Sequence, residues 1–230
     1  MAQERVVVFT GAGVSAESGL RTFRDSDGLW EQYRVEDVAT PEAWRRNPSL
    51  VLRFYDERRA QVLEARPNAA HEAIARLQQR FQVQVVTQNI DDLHERAGSR
   101  NVLHLHGEIL KARSTVDPTL ITPITGPSLR MGDRCALGSQ LRPHIVWFGE
   151  EVPLLPIAAE MMAQAHRVLV VGTSLNVYPA AGLVHYAPRT SPKVLVDPKP
   201  VAVERPGLRF VQATASAGVP SMVEEWLSEA

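Results

Sequence analysis

The sequence predicts an α/β protein, a parallel sheet with helices on both faces. Three observations carry this. The chain opens on an unbroken apolar run, Val6 to Phe9. Such runs, rich in β-branched residues, belong to strands buried on both faces. Further strand-like stretches at 82–87, 168–171 and 194–197 alternate with helical patterns, the order that parallel strands and crossover helices produce. The first run leads into Gly11-Ala12-Gly13-Val14-Ser15-Ala16. This G-x-G-x-x-G/A spacing after a strand, where a helix should start, makes the expected sheet Rossmann-like.

In that spacing Gly11 permits the tight turn, and Gly13 has no Cβ to hold a diphosphate off the backbone. Ala16 is small enough for the helix to pack on the sheet. The amides of the first helical turn then face an anion. A dinucleotide is the expected occupant.

Composition narrows the field. The 230 residues are 44% apolar and 22% charged, with Lys+Arg 25 against Asp+Glu 26. That describes one globular domain, or one carrying a smaller module. It argues against a general nucleic-acid or membrane-surface binder. No apolar run approaches the ~20 residues that span a bilayer. The start, MAQERVVVF, places charge directly before the first strand, so no signal peptide is expected. Cys135 is the single cysteine, so an internal disulfide is excluded and a cytoplasmic location is expected.

The rest follows in order. Residues 18–30 read as an ordered loop able to move over a ligand. A dehydrogenase needs an acidic residue at a strand tip about 20 residues past the glycines; Glu31 and Asp37 end no strand-like run. Pro41 to Leu63 is helical and divided by Pro48, with Tyr55 and Arg58 three apart on one face. Asn68 caps the next helix, whose buried stripe is Ala70, Ile74, Leu77 and Phe81. The strand Gln82 to Thr87 runs into Gln88-Asn89-Ile90-Asp91, polar residues where α/β sheets place ligand contacts. Val102 to Gly107 alternates, with His104 and His106 on one side. Glu108 to about Arg142, with Pro118, Pro123, Pro127, Gly126, Gly132 and Gly138, reads as a small loop-rich insert. The main sheet is expected to resume with a strand at His144 to Phe148. A helix follows at Leu154 to His166. Strands end at Gly172-Thr173-Ser174 and at Asp197, and another spans Leu208 to Val211. The last helix, from Pro220, buries Met222, Val223, Trp226 and Leu227.

Taken together, GAGVSAESGLRTFR (Gly11 to Arg24), TQNIDDLHERAGS (Thr87 to Ser99), LHGE (Leu105 to Glu108), PHIVWFGE (Pro143 to Glu150) and GTSLNVYPA (Gly172 to Ala180) resemble the sirtuins, NAD-dependent protein-lysine deacylases. The resemblance implies cleavage of the nicotinamide–ribose bond rather than hydride transfer. The acyl-lysine oxygen attacks the ribose carbon, and the products are deacylated lysine, nicotinamide and O-acyl-ADP-ribose. His106 matches the base that deprotonates a ribose hydroxyl, a role suited to an imidazole. Asn89 and Asp91 match residues at the nicotinamide end. NAD contacts are implied for Gly11, Ala12, Gly13, Ser15, Ala16, Gly19, Thr22, Phe23, Arg24 and Trp30. The same holds for Gln88, Ile90, Gly172, Thr173, Ser174, Asp197 and Ala215. Tyr55 and Arg58 match the Tyr-x-x-Arg pair of class III sirtuins, which prefer succinyl, malonyl and glutaryl groups; a guanidinium and a phenol suit an acyl carboxylate. Val35 falls where a small residue near that pocket's mouth is usual. Val146, Trp147, Phe148 and Gly149 match the segment that pairs with the substrate peptide.

The chain departs from the family at the two Cys-x-x-Cys pairs that hold structural zinc. Ser114 and Asp117 stand at the first pair, Cys135 and Gly138 at the second. One thiol and one carboxylate do not make a tetrahedral thiolate site. No zinc is expected, and apolar packing by Leu120, Ile121, Ile124, Leu129, Met131 and Leu141 is expected instead. The implied division is a Rossmann-like part at about 1–30, 82–107 and 143–230, with small-domain segments at 31–81 and 108–142. Acylated-lysine proteins are the expected partners, with no nucleic acid and no membrane; a monomer is the default. Competing readings are ADP-ribosyl transfer to protein, a non-catalytic NAD-binding module, and, from spacing alone, a dehydrogenase.

Overall fold

The computed structural model describes residues 3–20, 29–30, 33–173, 175, 177–199 and 207–229. In chain order, the strands are β1 (Arg5–Thr10), β2 (Leu29–Trp30), β3 (Tyr33–Arg34), β4 (Gln82–Thr87), β5 (Val102–His104), β6 (Gly107–Ser114), β7 (Ile121–Pro123), β8 (Leu141–Ile145), β9 (Arg167–Val171), β10 (Lys193–Val196) and β11 (Leu208–Val211). The α-helices are α1 (Val35–Val38), α2 (Pro41–Arg46), α3 (Pro48–Glu64), α4 (Ala69–Arg76), α5 (Leu93–Arg96), α6 (Leu155–Ala163) and α7 (Ala215–Ser228).

Among the described residues, six strands form a sheet in the order β11-β10-β9-β1-β4-β5, and every neighbouring pair is parallel. The expected α/β fold is therefore observed. β1 lies at the centre, and Val6 to Phe9 are fully buried. One face packs on α4 and α7, through Ile74, Leu77, Met222, Val223 and Trp226. The other packs on α6 and a 3-10 segment, Ala180–Tyr186, through Met162, Leu183 and Val184. The strand order reverses between β1 and β9, and a crevice at the carboxyl ends of such a pair is where α/β sheets bind ligands.

Local sequence explains the helices near this crevice. Thr40 and Asn47 accept from the backbone amides of Ala43 and Leu50, and a proline starts each helix that follows, α2 and α3. Both devices fit helix starts. Asn68 caps α4 and forms a capping box with His71.

Several expectations need correction. No α-helix follows the glycine loop in the described residues; two 3-10 turns do, Ala12–Val14 and Ala16–Ser18. Ala16 is exposed rather than packed on the sheet. Gly11 is extended, φ −124° and ψ −174°, so the turn does not require a glycine there. Crowding does: a Cβ on Gly11 would sit 2.8 Å from the Thr173 Cβ, and one on Gly13 2.6 Å from the Gly172 Cα. The segment after Glu108 is more regular than a loop-rich insert. β6 is eight residues long and pairs antiparallel with β7 and β8. The strand expected at 144–148 spans Leu141–Ile145 and belongs to this small sheet, not to the main one. α7 begins at Ala215, with Pro220 inside it. Leu129 and Leu141 do enter the small module's core, together with Leu52 and Ala112, and Ile124 packs at its side. Ile121 and Met131 are exposed instead. Among the described residues no helix is long and apolar enough to cross a membrane.

Candidate active site

A cavity of about 440 Å³ lies over the carboxyl ends of β1, β4 and β9. Its floor is made by Gly11, Ala12, Gly13, Ser15, Ala16 and Glu17 after β1, by Gln88 to Asp91 after β4, and by Gly172 and Thr173 after β9. Asp197 and Ala215 line one end. The opposite wall comes from α3 and the small sheet and carries Tyr55, Arg58, Ile109 and Val146 to Glu150. His106 lines the same space.

The floor is locked by backbone contacts. Gly11 N donates to Val171 O at 3.0 Å, Gly13 N to Gly172 O at 2.9 Å, and Gly172 N to Val196 O at 3.0 Å. Gln88 Nε2 donates to Thr173 Oγ1 at 3.1 Å, tying the loop after β4 to the loop after β9.

Beneath this floor the polar side chains form one network. Ser15 Oγ donates to Asp91 Oδ2 at 3.1 Å and accepts from Asn89 Nδ2 at 3.1 Å. His71 Nδ1 accepts from Asn68 N at 3.3 Å. The ring proton therefore sits on Nε2, 3.4 Å from Ser15 Oγ. Burial holds His71 down to about 4, with Arg96 adding to the shift, so the ring is neutral. With Nδ2 spent on Ser15, the Asn89 side chain keeps its carbonyl oxygen for other work. Burial raises the Asp91 carboxyl, opposed by hydrogen bonds from Leu93 N and Ser15.

His104 and His106 are both turned toward the loop after β4. His104 Nδ1 lies 2.9 Å from Asn89 O and its Nε2 lies 2.7 Å from Glu95; it holds the Asn89 backbone. His106 sits just past the end of β5, its Nδ1 3.0 Å from Gln88 O. A carbonyl accepts only, so Nδ1 carries the proton and Nε2 is a bare lone pair. Burial lowers the His106 pKa, and the Gln88 carbonyl partly restores it. Such a group can take a proton near neutral pH.

On the far wall, Tyr55 and Arg58 are both buried, and the Arg58 guanidinium lies 5.8 Å from the centre of the Phe54 ring. Tyr55 Oη accepts from Trp147 Nε1 at 3.1 Å. The backbone of Val146 to Phe148 is already engaged: Val146 N donates to His106 O, Trp147 N to Glu150 Oε2 and Phe148 N to Ala39 O. Phe148 is 48% exposed at the rim, whereas Trp147 is turned inward.

Gly19 is exposed and not part of the lining. Thr22, Phe23, Arg24 and Ser174 lie outside the described residues, as does the side chain of Trp30. Val35 is half-buried against the cluster that holds Val38, Val51 and Phe54 and does not line the cavity; the small residue that does is Ala39, four positions on. Sequence reasoning missed Ala39, Glu17, Ile109 and Ile145. A Glu17 carboxylate accepts from Ser216 N at 2.8 Å, at the start of α7, a contact that no local pattern announces.

Residues 11–179 match the Sir2 family. The chain belongs to that family. The sirtuin is 49% identical, over 225 residues, to an NAD-dependent protein deacylase of Bacteroides thetaiotaomicron, covering 95% of this chain and 96% of that one. An NAD-dependent protein deacylase of Aggregatibacter actinomycetemcomitans is 55% identical over 194 residues, 84% and 93% of the two chains. Among solved structures, a Sir2 homologue in complex with NAD superposes with a TM-score of 0.86 at 38% identity, covering 97% of this sirtuin and 89% of that chain.

Sirtuins commonly carry structural zinc, and the donor set here does not fit it. Cys135 Sγ lies 3.3 Å from Ser114 Oγ and 3.1 Å from Ser139 Oγ, and the two hydroxyls are 2.9 Å apart. Ser114 Oγ also accepts from Val116 N and Asp117 N. Zinc takes thiolate, imidazole or carboxylate ligands, usually four. Among the described residues no three such groups converge.

Proposed function

We propose that this sirtuin is an NAD-dependent deacylase of protein lysines that prefers acidic acyl groups, and that its small module works without zinc. One arrangement supports the reading. His106, with a bare Nε2, shares a cavity with Asn89 and Asp91 on one side and with Tyr55 and Arg58 on the other.

The glycine loop, Gly172 and Thr173 would hold the diphosphate of NAD, and Asp197 and Ala215 would lie at its adenosine end. Bound there, NAD supplies an electrophilic ribose carbon when nicotinamide leaves. The chain's own groups then have separate tasks. Asn89 and Asp91, fixed through Ser15, orient the nicotinamide end. His106 takes a hydroxyl proton at Nε2 while Nδ1 stays on the Gln88 carbonyl. Arg58 receives an acyl carboxylate, and buried Tyr55 adds a hydrogen bond to it. The rim segment Val146 to Gly149 would meet a peptide mainly through carbonyl oxygens, because three of its amides are engaged within the chain.

Mass spectrometry of acetyl-, succinyl- and glutaryl-lysine peptides with and without NAD tests the reading. Succinyl and glutaryl groups should leave fastest, and only with NAD. Arg58→Met should lower desuccinylation roughly 10- to 100-fold more than deacetylation, the loss of hydrogen bonds to a charged partner. Equal losses on both substrates would remove Arg58 from acyl recognition.

A further inference from the structure

The geometry points to Trp147 as a positioning residue for acyl selection: its indole N–H occupies the Tyr55 phenol oxygen, leaving the phenol proton to point into the cavity. This rests on the reading that Tyr55 and Arg58 receive an acyl carboxylate. The indole nitrogen is a donor only, so at 3.1 Å the phenol oxygen must be the acceptor. The Tyr55 hydroxyl has no acceptor for its own proton among the described residues, and Tyr55 lines the cavity. Burial raises the phenol pKa, with the Trp147 hydrogen bond and then Arg58 acting against it. The phenol stays a neutral donor.

The indole itself is held at both ends. The Arg142 guanidinium lies 3.3 Å from the centre of the Trp147 ring. The same guanidinium donates to both Glu150 oxygens, at 2.7 and 3.1 Å, and to Ile145 O at 2.9 Å. Glu150 Oε2 in turn accepts the Trp147 backbone N–H at 2.8 Å, and Arg113 adds a second cation to Glu150. Ring and backbone of Trp147 are therefore fixed by one ion pair. A carboxylate at the end of an acyl chain gains from a donor aimed in advance. An acetyl group carries no acceptor beyond its amide and gains nothing.

The test is a double-mutant cycle on the full chain. Trp147→Phe, Tyr55→Phe and the double variant are assayed for kcat/KM on succinyl- and acetyl-lysine peptides with NAD. In the wild type, succinyl should lead; if acetyl leads, the acidic-acyl reading fails and this inference with it. Given a succinyl preference, Trp147→Phe should lower the succinyl-to-acetyl ratio about tenfold, the worth of one hydrogen bond to a charged group. The double variant should be no less selective than Tyr55→Phe alone. An unchanged ratio, or losses that multiply, would overturn the role of Trp147 and leave that of Arg58 standing. A reading that needs no Trp147 variant is available if that protein does not fold. One of the four tryptophan indole N–H resonances should shift and exchange faster in Tyr55→Phe, and no shift would equally overturn the inference.

Discussion

The two walls of the cavity are held by different forces. On the sheet side, loops meet backbone to backbone. Gly11, Gly13 and Gly172 approach so closely that an added Cβ would lie 2.4–2.8 Å from a neighbour, and beneath them Val6 to Phe9 are completely buried. On the module side, Ile109 and Ile145 meet α3 in an apolar cluster, and buried charged side chains tie that cluster together. Arg59 is fully buried on α3; its Nε donates to Ile109 O at 2.8 Å and its Nη1 to Pro127 O at 3.0 Å and to Asp56. Asp56 Oδ1 also accepts from Leu129 N at 3.0 Å. The Arg142–Glu150 pair plays the same part under Trp147. The sheet side should therefore fail when atoms are added, and the module side when polar groups are removed. The module's own apolar cluster is small, and Arg59 ties α3 to it through Ile109 O and Pro127 O.

The largest effect is expected at Arg59. Arg59→Met keeps the length of the side chain but removes the donor to Ile109 O and Pro127 O and leaves Asp56 with the Leu129 amide and no cation. Removing one partner of a buried pair should cost about 3 kcal/mol, a fall in Tm of roughly 6–12 °C for a chain of this size. Denaturant and thermal unfolding measure it. A loss below about 1 kcal/mol would mean that apolar packing, not the arginine, holds the module.

Next comes an added methyl on the sheet side. Gly13→Ala drives a Cβ into the Gly172 backbone, and overpacking of that kind should cost about 2 kcal/mol. Because the floor moves, KM for NAD should rise as well. Gly126→Ala is the control. Gly126 lies in the module with φ +85° and open space around it, so only the backbone conformation is penalised, by about 1 kcal/mol, with KM for NAD unchanged. Equal effects on KM would show that the crowding at Gly13 has no bearing on the cofactor site.

The same contrast decides what the sequence revealed. The parallel sheet was legible because strands buried on both faces leave unbroken β-branched runs, and the cavity floor because polar residues follow those runs directly. The module was not. β6 reads Gly107-Glu-Ile-Leu-Lys-Ala-Arg-Ser114, with burial that alternates imperfectly across a register shift between Glu108 and Ala112. Its charged Lys111 and Arg113, half-buried in ion pairs with Glu108 and Glu150, resemble loop residues, and its partner β8 lies far along the chain. α7 begins at Ala215, before the start that Pro220 suggests, because a proline reads as a helix start rather than as an interior residue. Ala39 and the Trp147–Tyr55 contact, 92 residues apart, depend on tertiary approach, which spacing does not encode.

The smallest expected effect is acid weakening, and it should begin under the cavity floor. His71 and His94 pack ring to ring, their centroids 4.9 Å apart, beneath Ser15 and Thr10. Burial holds His71 down to about 4 and His94 well below its ordinary value. Both bind a proton more readily when unfolded, so their contribution is complete above about pH 6.5 and is lost as pH falls below it. His104 acts in the opposite sense: Glu95 raises its pKa against burial, so its contribution is present at low pH and fades as pH rises through the raised value. Glu150 is lowered by Arg142 and the Trp147 amide despite its burial, so the pair under Trp147 persists until pH falls through that lowered value. His144 in β8 is lowered by burial too, so the module also feels acid, and a variant must separate the two sides. Between pH 6.5 and 5.5, His71 alone should remove about 1 kcal/mol from the wild type. His71→Gln should lose correspondingly less over the same interval in denaturant unfolding. Parallel falls in the two proteins would place the acid sensitivity elsewhere, on His94 or in the module.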